Sequence, residues 1–333
     1  MQPRPDSTTG ETPTETPARP QHRGRRALGW AASLGLLAVA AAVARSRWQA
    51  VGEAGGIPGL EPAAVAVVAY LVGNTLLALN WRELVSLGAP RPPARTAVWI
   101  WSVSQLARYT VTLGQVAGRG VVARRYGLTA TAGAVSTLLE LTFYLSVSSA
   151  LSLATLPWWL PLVRARWLAV VGAVPFLVLA ATLTHPDAVL RGLSRLLDTR
   201  LGRWVTRGRL QRVDERVEVS RARLARVAGL YLANSAVRLA AFLVLLTAVG
   251  GDPTRIGLQA VGAYAVGHLA GGLVVFAPGG IGAREGATTL VLAPAMGADA
   301  TLVLVAAVRL LEIAAELLLV GIARALRGPA PAG

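Results

Sequence analysis

Long apolar runs cover 28–44, 63–81, 97–117, 130–156, 167–183, 227–249, 256–276 and 300–323, and short polar clusters separate them. A helix that crosses a bilayer needs roughly 20 mostly apolar residues, so each run predicts a membrane helix or a piece of one. The 333 residues leave room for about seven to nine such segments. The expected fold class is therefore an all-α integral membrane protein, a polytopic helical bundle. Composition agrees, with 54% apolar residues, 15% charged residues and a mean hydropathy of +0.53.

The polar remainder sets the organisation and the orientation. Residues 1–26 form a tail, rich in Pro, Thr and Glu up to 21 and basic over 22–26, with too little apolar surface to fold. A membrane domain then fills 27–327, and 328–333 is a short tail. The run 28–44 reads as a first anchor; a secretory signal, with Arg25 and Arg26 before it, is the alternative. The largest hydrophilic loop, 185–226, holds eleven arginines against five acids. Arginine-rich loops stay in the cytoplasm, so this loop and the N-terminus are expected inside the plasma membrane. Part of the loop, 214–226, can form a charged helix on anionic lipid.

That placement bears on 97–117. A full crossing there would put the arginines of 119–125 and of the long loop outside. A re-entrant element that dips in and returns keeps them all inside. Ser102, Ser104, Gln105, Arg108, Gly114 and Gly118 fit a broken, protein-packed segment of this kind.

A second break is sharper. Residues 276–286 read FAPGGIGAREG between two apolar runs. Pro278 stops a helix, while Gly279, Gly280 and Gly282 let the backbone turn. Arg284 and Glu285 place charge where hydrocarbon does not solvate it, which costs roughly 3 kcal/mol or more unless paired or hydrated. A short helix starting near Glu285 and Gly286 would make, with Arg284, an anion site suited to phosphate. A tight turn at the membrane surface is the plainer alternative. Setting 113–119 against 278–284 matches Gly114 with Gly279, Val116 with Ile281 and Arg119 with Arg284. Paired broken segments of this kind point to an inverted repeat with a site at its interface.

Other intramembrane polar residues extend the candidate path. Glu140 must face the bundle interior, with Arg119 or Arg108 as its partner. Arg309, Glu312 and Glu316 share one helical face, either as structural ion pairs or as path lining, and Asn234 and Arg238 add to the polar set. His268, in a glycine-rich run, reads as a hydrogen-bonded packing residue, with a ligand or proton-relay role as the alternative. Trp99, Trp101, Trp158, Trp159 and Trp167 read as interface anchors, and Gly267, Gly271 and Gly272 suit close helix packing.

The chain has no cysteine and no lysine, which excludes disulfides, thiolate sites, a Walker lysine and Schiff-base chemistry. No nucleophile elbow, HExxH or metal-spaced set is visible, so no catalytic residue, metal or cofactor is expected. The net charge of +16 sits in tails and loops and follows membrane orientation; no nucleic-acid partner is expected.

The stretch PGGIGAREG at 278–286, Arg309 in the following run, Ala107-Arg108-Tyr109 followed by Gly114, and Glu140 together resemble the flippase-like membrane domain of lysylphosphatidylglycerol synthases. The likeness covers roughly 63–323 and lacks a proline ahead of Gly114; with only 328–333 after the last run, a stand-alone form without the soluble aminoacyl-transfer domain is expected. It implies an inverted-repeat bundle with re-entrant helices that moves a phospholipid or polyprenyl-linked lipid between leaflets. Carried residue by residue, it makes Arg108, Gly114, Arg119, Glu140, Pro278, Gly279, Gly280, Gly282, Arg284, Glu285, Arg309 and Glu312 the candidate headgroup path. Membrane lipid is the expected partner. Two alternatives stay open: an ion-coupled solute transporter, and a non-transporting partner of an envelope enzyme or glycosyltransferase, in either case with homo-oligomerisation undecided.

Overall fold

The computed structural model describes residues 58–162 except 88 and 110–113, scattered positions between 173 and 199, and residues 221–326 except 275–277. The tails 1–26 and 328–333, the run 28–44, most of the run 167–183 and most of the loop 185–226 lie outside the described residues. Every element among the described residues is helical. The helices are α1 (Leu60–Val85), α2 (Ala94–Gln105), α3 (Gly114–Arg124), α4 (Ala130–Ala154), α5 (Leu156–Trp159), α6 (Arg221–Ala248), α7 (Pro253–Leu273), α8 (Ala283–Met296) and α9 (Ala298–Leu326). Tight 3-10 turns stand at Leu106–Tyr109, Leu160–Leu162 and Pro278–Gly280.

The helices sort by length. Among the described residues, α1, α4 and the 222–248 stretch of α6 are long and apolar enough to cross a membrane. Helix α9, at 29 residues, is longer still, but Arg309, Glu312 and Glu316 interrupt its apolar character. The short helices α2, α3 and α8 have 12, 11 and 14 residues. At ~1.5 Å per residue none of these three reaches across a hydrocarbon core of ~30 Å. The run 97–117 is thus two short helices separated by a turn, as its polar residues and Gly114 predict. The start of the charged stretch 214–226 that is described, from Arg221, is the first turn of α6 and continuous with it.

Packing builds two large apolar cores among the described residues. One gathers Leu77, Trp81, Leu84, Trp101, Phe143 and Tyr231, and the other Tyr70, Trp159, Phe242, Leu245, Tyr264 and Leu304. Helix α1 runs through both, packed along α6 and against α9. Lipid offers no hydrophobic reward for this association, so close backbone approach through small residues matters more. At Gly73 a Cβ would lie 3.0 Å from Asn234 Oδ1 and 3.2 Å from Arg238 Cγ. At Gly267 it would lie 2.1 Å from Thr288 Oγ1, and at Gly272 2.5 Å from Leu145 Cδ2, as the glycine spacing on α7 predicts. Between the two cores, near the midpoints of α1, α6 and α9, lie the buried polar residues Asn74, Arg238 and Glu312.

Candidate functional site

The polar centre is built on Glu312, whose side chain is 1% exposed. Arg238 Nη1 donates to its Oε1 at 2.7 Å and Arg284 Nη1 to its Oε2 at 2.9 Å. Arg309, one turn back on α9, brings Nη1 to 3.6 Å from Oε2. One carboxylate thus serves three guanidiniums. Each has further anchors: Arg238 donates to Asn74 Oδ1 at 2.6 Å, Arg284 to the Tyr144 hydroxyl at 3.1 Å, and Arg309 to the Gly279 carbonyl at 2.9 Å.

The two chain breaks meet at this centre. The turn Leu106–Tyr109 packs against Pro278–Gly280, where a Cβ on Gly279 would lie 3.2 Å from Tyr109 Cδ1. Arg108 pairs with Glu316, whose second oxygen accepts from the Tyr109 hydroxyl at 2.9 Å. The guanidiniums of both Arg108 and Arg309 face the Tyr109 ring, 5.1 and 5.5 Å from its centroid. Glycine is required here: Gly279 and Gly280 have φ of +61° and +69°, and a Cβ on Gly280 would sit 2.5 Å from the Gly271 carbonyl oxygen.

Arg108, Arg238, Arg284 and Arg309 face Glu285, Glu312 and Glu316, leaving positive charge in excess. Donors are in excess as well. Arg108, Arg238, Arg284 and Arg309 each bury an Nε without a hydrogen-bond acceptor, and so does Nη1 of Arg309. Buried unsatisfied donors mark places where water, an ion or a ligand completes the network. A cavity of about 20 Å³, lined by His268, Arg284, Glu285, Thr288, Arg309 and Glu312 among others, lies beside those of Arg284 and Arg309. That volume admits a single water-sized group.

Glu285 departs from expectation. Its Oε2 accepts the Gly282 N–H at 2.6 Å, capping its own helix, α8. The α8 N-terminus is therefore answered by the chain's own carboxylate rather than open to an anion. Arg284 instead turns into the bundle, with a side chain 13% exposed.

A second buried pair stands apart. Arg119, fully buried, pairs with Glu140 and donates Nε to Ser104 Oγ at 3.0 Å and Nη2 to Gln105 Oε1 at 3.1 Å. Trp101 Nε1 donates to Glu140 Oε1 at 2.8 Å, and the Trp81 and Trp101 rings lie 5.5 and 5.7 Å from the guanidinium carbon. All three Arg119 nitrogens are thereby engaged. Glu140 takes Arg119 rather than Arg108, and Trp101, expected as an interface anchor, is a buried hydrogen-bond donor. Trp159 is buried as well, donating to the Ser152 carbonyl at 2.8 Å, while Trp158 is half exposed as an anchor should be. The candidate path residues therefore divide. Arg108, Gly279, Arg284, Arg309 and Glu312 converge, with Pro278 and Gly280 shaping the turn and Gly282 capping α8. Arg119 and Glu140 form the separate pair, and Gly114 opens α3.

Sequence reading missed Asn74, Tyr144 and Tyr264. Asn74 carried a signal, as a polar residue inside an otherwise apolar run. The tyrosines carried none, because their rings suit lipid and their hydroxyls need only one partner.

Fold and site define a class: a helical membrane domain with a cation-rich polar centre at the depth of its spans. The chain belongs to the family of the lysylphosphatidylglycerol synthase TM region, whose model matches residues 26–319. No curated protein and no solved structure matches the chain.

Proposed function

We propose that the protein is a lipid translocase, passing the phosphate headgroup of a phospholipid or polyprenyl-linked lipid between leaflets of the plasma membrane while the acyl chains stay in lipid. The Nε and Nη1 of Arg309, buried without a hydrogen-bond acceptor beside Arg284 and the cavity, carry this reading. Guanidinium donors without acceptors, in a centre of net positive charge, match a phosphate oxygen by charge and by geometry. Family membership supports a lipid-related role. In this reading α2 with α3, and α7 with α8, act as re-entrant pairs of an inverted repeat, with the N-terminus and the loop 185–226 in the cytoplasm. In this reading the protein carries its lipid without a covalent step, and Glu312 serves to hold three arginines rather than to exchange protons.

The test is movement of acyl-labelled fluorescent lipids in vesicles holding the purified protein. We expect a rate above that of empty vesicles, and a loss of roughly tenfold to hundredfold in Arg309→Ala, the range expected from losing one charge-assisted contact. No movement of any phospholipid or polyprenyl phosphate above empty vesicles would overturn the proposal. A rate that instead follows an imposed pH gradient would favour an ion-coupled solute transporter.

A further inference from the structure

His268 is buried in α7 and lines the same cavity. Its Nδ1 lies 2.8 Å from the Tyr264 carbonyl, which only accepts, so Nδ1 carries the hydrogen. The ring is held further by Tyr264, centroid to centroid 4.0 Å, and by Tyr144 at 5.9 Å. On the other edge Nε2 is buried without a hydrogen bond, and its nearest carboxylate oxygen, on Glu312, is 4.0 Å away. The cavity therefore sets guanidinium donors against one nitrogen that, in the neutral ring, offers a lone pair.

We infer that His268 selects the headgroup: Nε2 accepts a hydrogen bond from a hydroxyl or ammonium group of the molecule whose phosphate meets Arg284 and Arg309. Phosphate esters that carry an O–H or N–H donor are held, and quaternary-ammonium esters are not. The inference rests on the phosphate reading above and names the class of headgroup it takes. The cavity's 20 Å³ is the size of such a donor group rather than of a whole headgroup, so the phosphate reaches the arginines as the surrounding side chains part. A ligand without a donor leaves Nε2 buried and unpaired, and a site built around a hydrogen bond rejects such an analogue. Choline is the sharpest opposing probe, because Phe242 and Tyr264 also line the cavity and aromatic faces attract quaternary ammonium.

The experiment is binding to the purified full chain in detergent, followed by thermal shift, with dihexanoyl phosphatidylglycerol, dihexanoyl phosphatidylcholine, glycerol 3-phosphate and phosphocholine. Each glycerol probe should bind roughly fivefold to tenfold more tightly than its choline counterpart, the size expected of one hydrogen bond. In His268→Phe, which keeps a ring between Tyr264 and Tyr144, the ratio should fall to within about twofold. Equal binding of glycerol and choline probes to the unsubstituted protein overturns the selectivity whether or not the variant folds, and leaves translocation standing. Vesicles that move no lipid while the binding ratio holds overturn translocation and leave the selectivity. A ratio seen with the free esters alone supports the donor requirement and assigns the site to soluble phosphate esters rather than lipids.

Discussion

Arg119 and Arg284 stand at matched places in two glycine-marked breaks, yet they end in opposite states. Arg119 is sealed: all its nitrogens have partners, two indole rings flank it, and Glu140 answers its charge alone. Arg284 shares Glu312 with Arg238 and Arg309, and its Nε is buried without an acceptor. The chemistry of the two residues is identical, so the difference lies in what surrounds them. A saturated buried pair fixes helices, whereas an undersaturated group keeps capacity for a ligand.

The backbone explains how the two breaks differ. In the matched register α3 starts at Gly114, whereas the corresponding Gly279 is still in a turn with φ of +61° and α8 starts only at Ala283. Arg119 thus projects from inside a formed helix towards α4, while Arg284 projects from the first turn of α8, next to the break itself.

The largest effect expected from this contrast is on stability. Arg119→Ala strips the guanidinium from a buried carboxylate and should cost roughly 3–5 kcal/mol in thermal or denaturant unfolding in detergent. Replacing both partners, Arg119→Met with Glu140→Leu, should recover most of that loss, since two apolar side chains need no counter-charge. A double variant as unstable as the single one would mean that the pair does more than hold helices.

Gly280→Ala comes next. Its φ of +69° and a Cβ 2.5–2.9 Å from Gly271 backbone atoms leave no room for relief, and a loss on the order of 3 kcal/mol is expected from strain and overpacking together. The helical Gly118→Ala, whose Cβ would meet only the Ala107 Cβ, at 3.1 Å, and the Ser104 carbonyl oxygen, at 3.7 Å, should stay within about 1 kcal/mol of the parent. Unfolding midpoints of the two variants read the difference directly.

These outcomes also show how far the sequence was legible. The long apolar runs that fall on described residues declared their helices, and the polar residues between 102 and 118 declared a broken one, because backbone and charge at membrane depth need shelter. Arg284, Arg309 and Glu312 declared themselves in the same way. What stayed hidden was pairing across the bundle. Glu316 follows Arg309 and Glu312 on one helical face, yet it pairs with Arg108, 208 positions away, rather than with its own helix. Spacing along a helix states which residues share a face and is silent on what stands opposite. Glu285 misled for a related reason: its place three residues beyond Gly282 allowed both a ligand site and a self-cap, and the backbone N–H within reach decided for the cap.

Function should separate from stability at the next level. Arg284→Ala leaves Glu312 with Arg238 at 2.7 Å, so it should unfold closer to the parent than Arg119→Ala does. Lipid movement should nevertheless fall roughly tenfold to hundredfold, the loss of one charge-assisted phosphate contact. If stability fell as far as for Arg119→Ala while movement kept pace with the folded fraction, the two clusters would be the same kind of object and the contrast between them would be lost.

The smallest effect concerns the helices that lead into each break. Helix α7 begins with a side-chain cap, Asp252 Oδ1 accepting from the Thr254 N–H at 2.9 Å and from its hydroxyl at 2.7 Å. Helix α2 begins at Pro93 with no side-chain cap. The Thr254 hydrogen bonds hold the Asp252 carboxyl below the ordinary carboxylate value, the hydroxyl contributing most. A carboxylate depressed by folding stabilises fully above its unfolded value, about 4, and loses that contribution as pH falls through the lower folded value. Acidification from pH 6 to pH 3 should therefore loosen the first turn of α7 and not that of α2, read as a fall in amide protection, relative to the intrinsic exchange rate at each pH, at 254–256 and not at 95–97. Asp252→Asn, which keeps an accepting oxygen but cannot ionise, should remove the pH dependence of that local opening while preserving much of the cap. An equal loss of protection at both helix starts would show that acid acts on the bundle as a whole, and the capped entry to the second break would then have no separate stability.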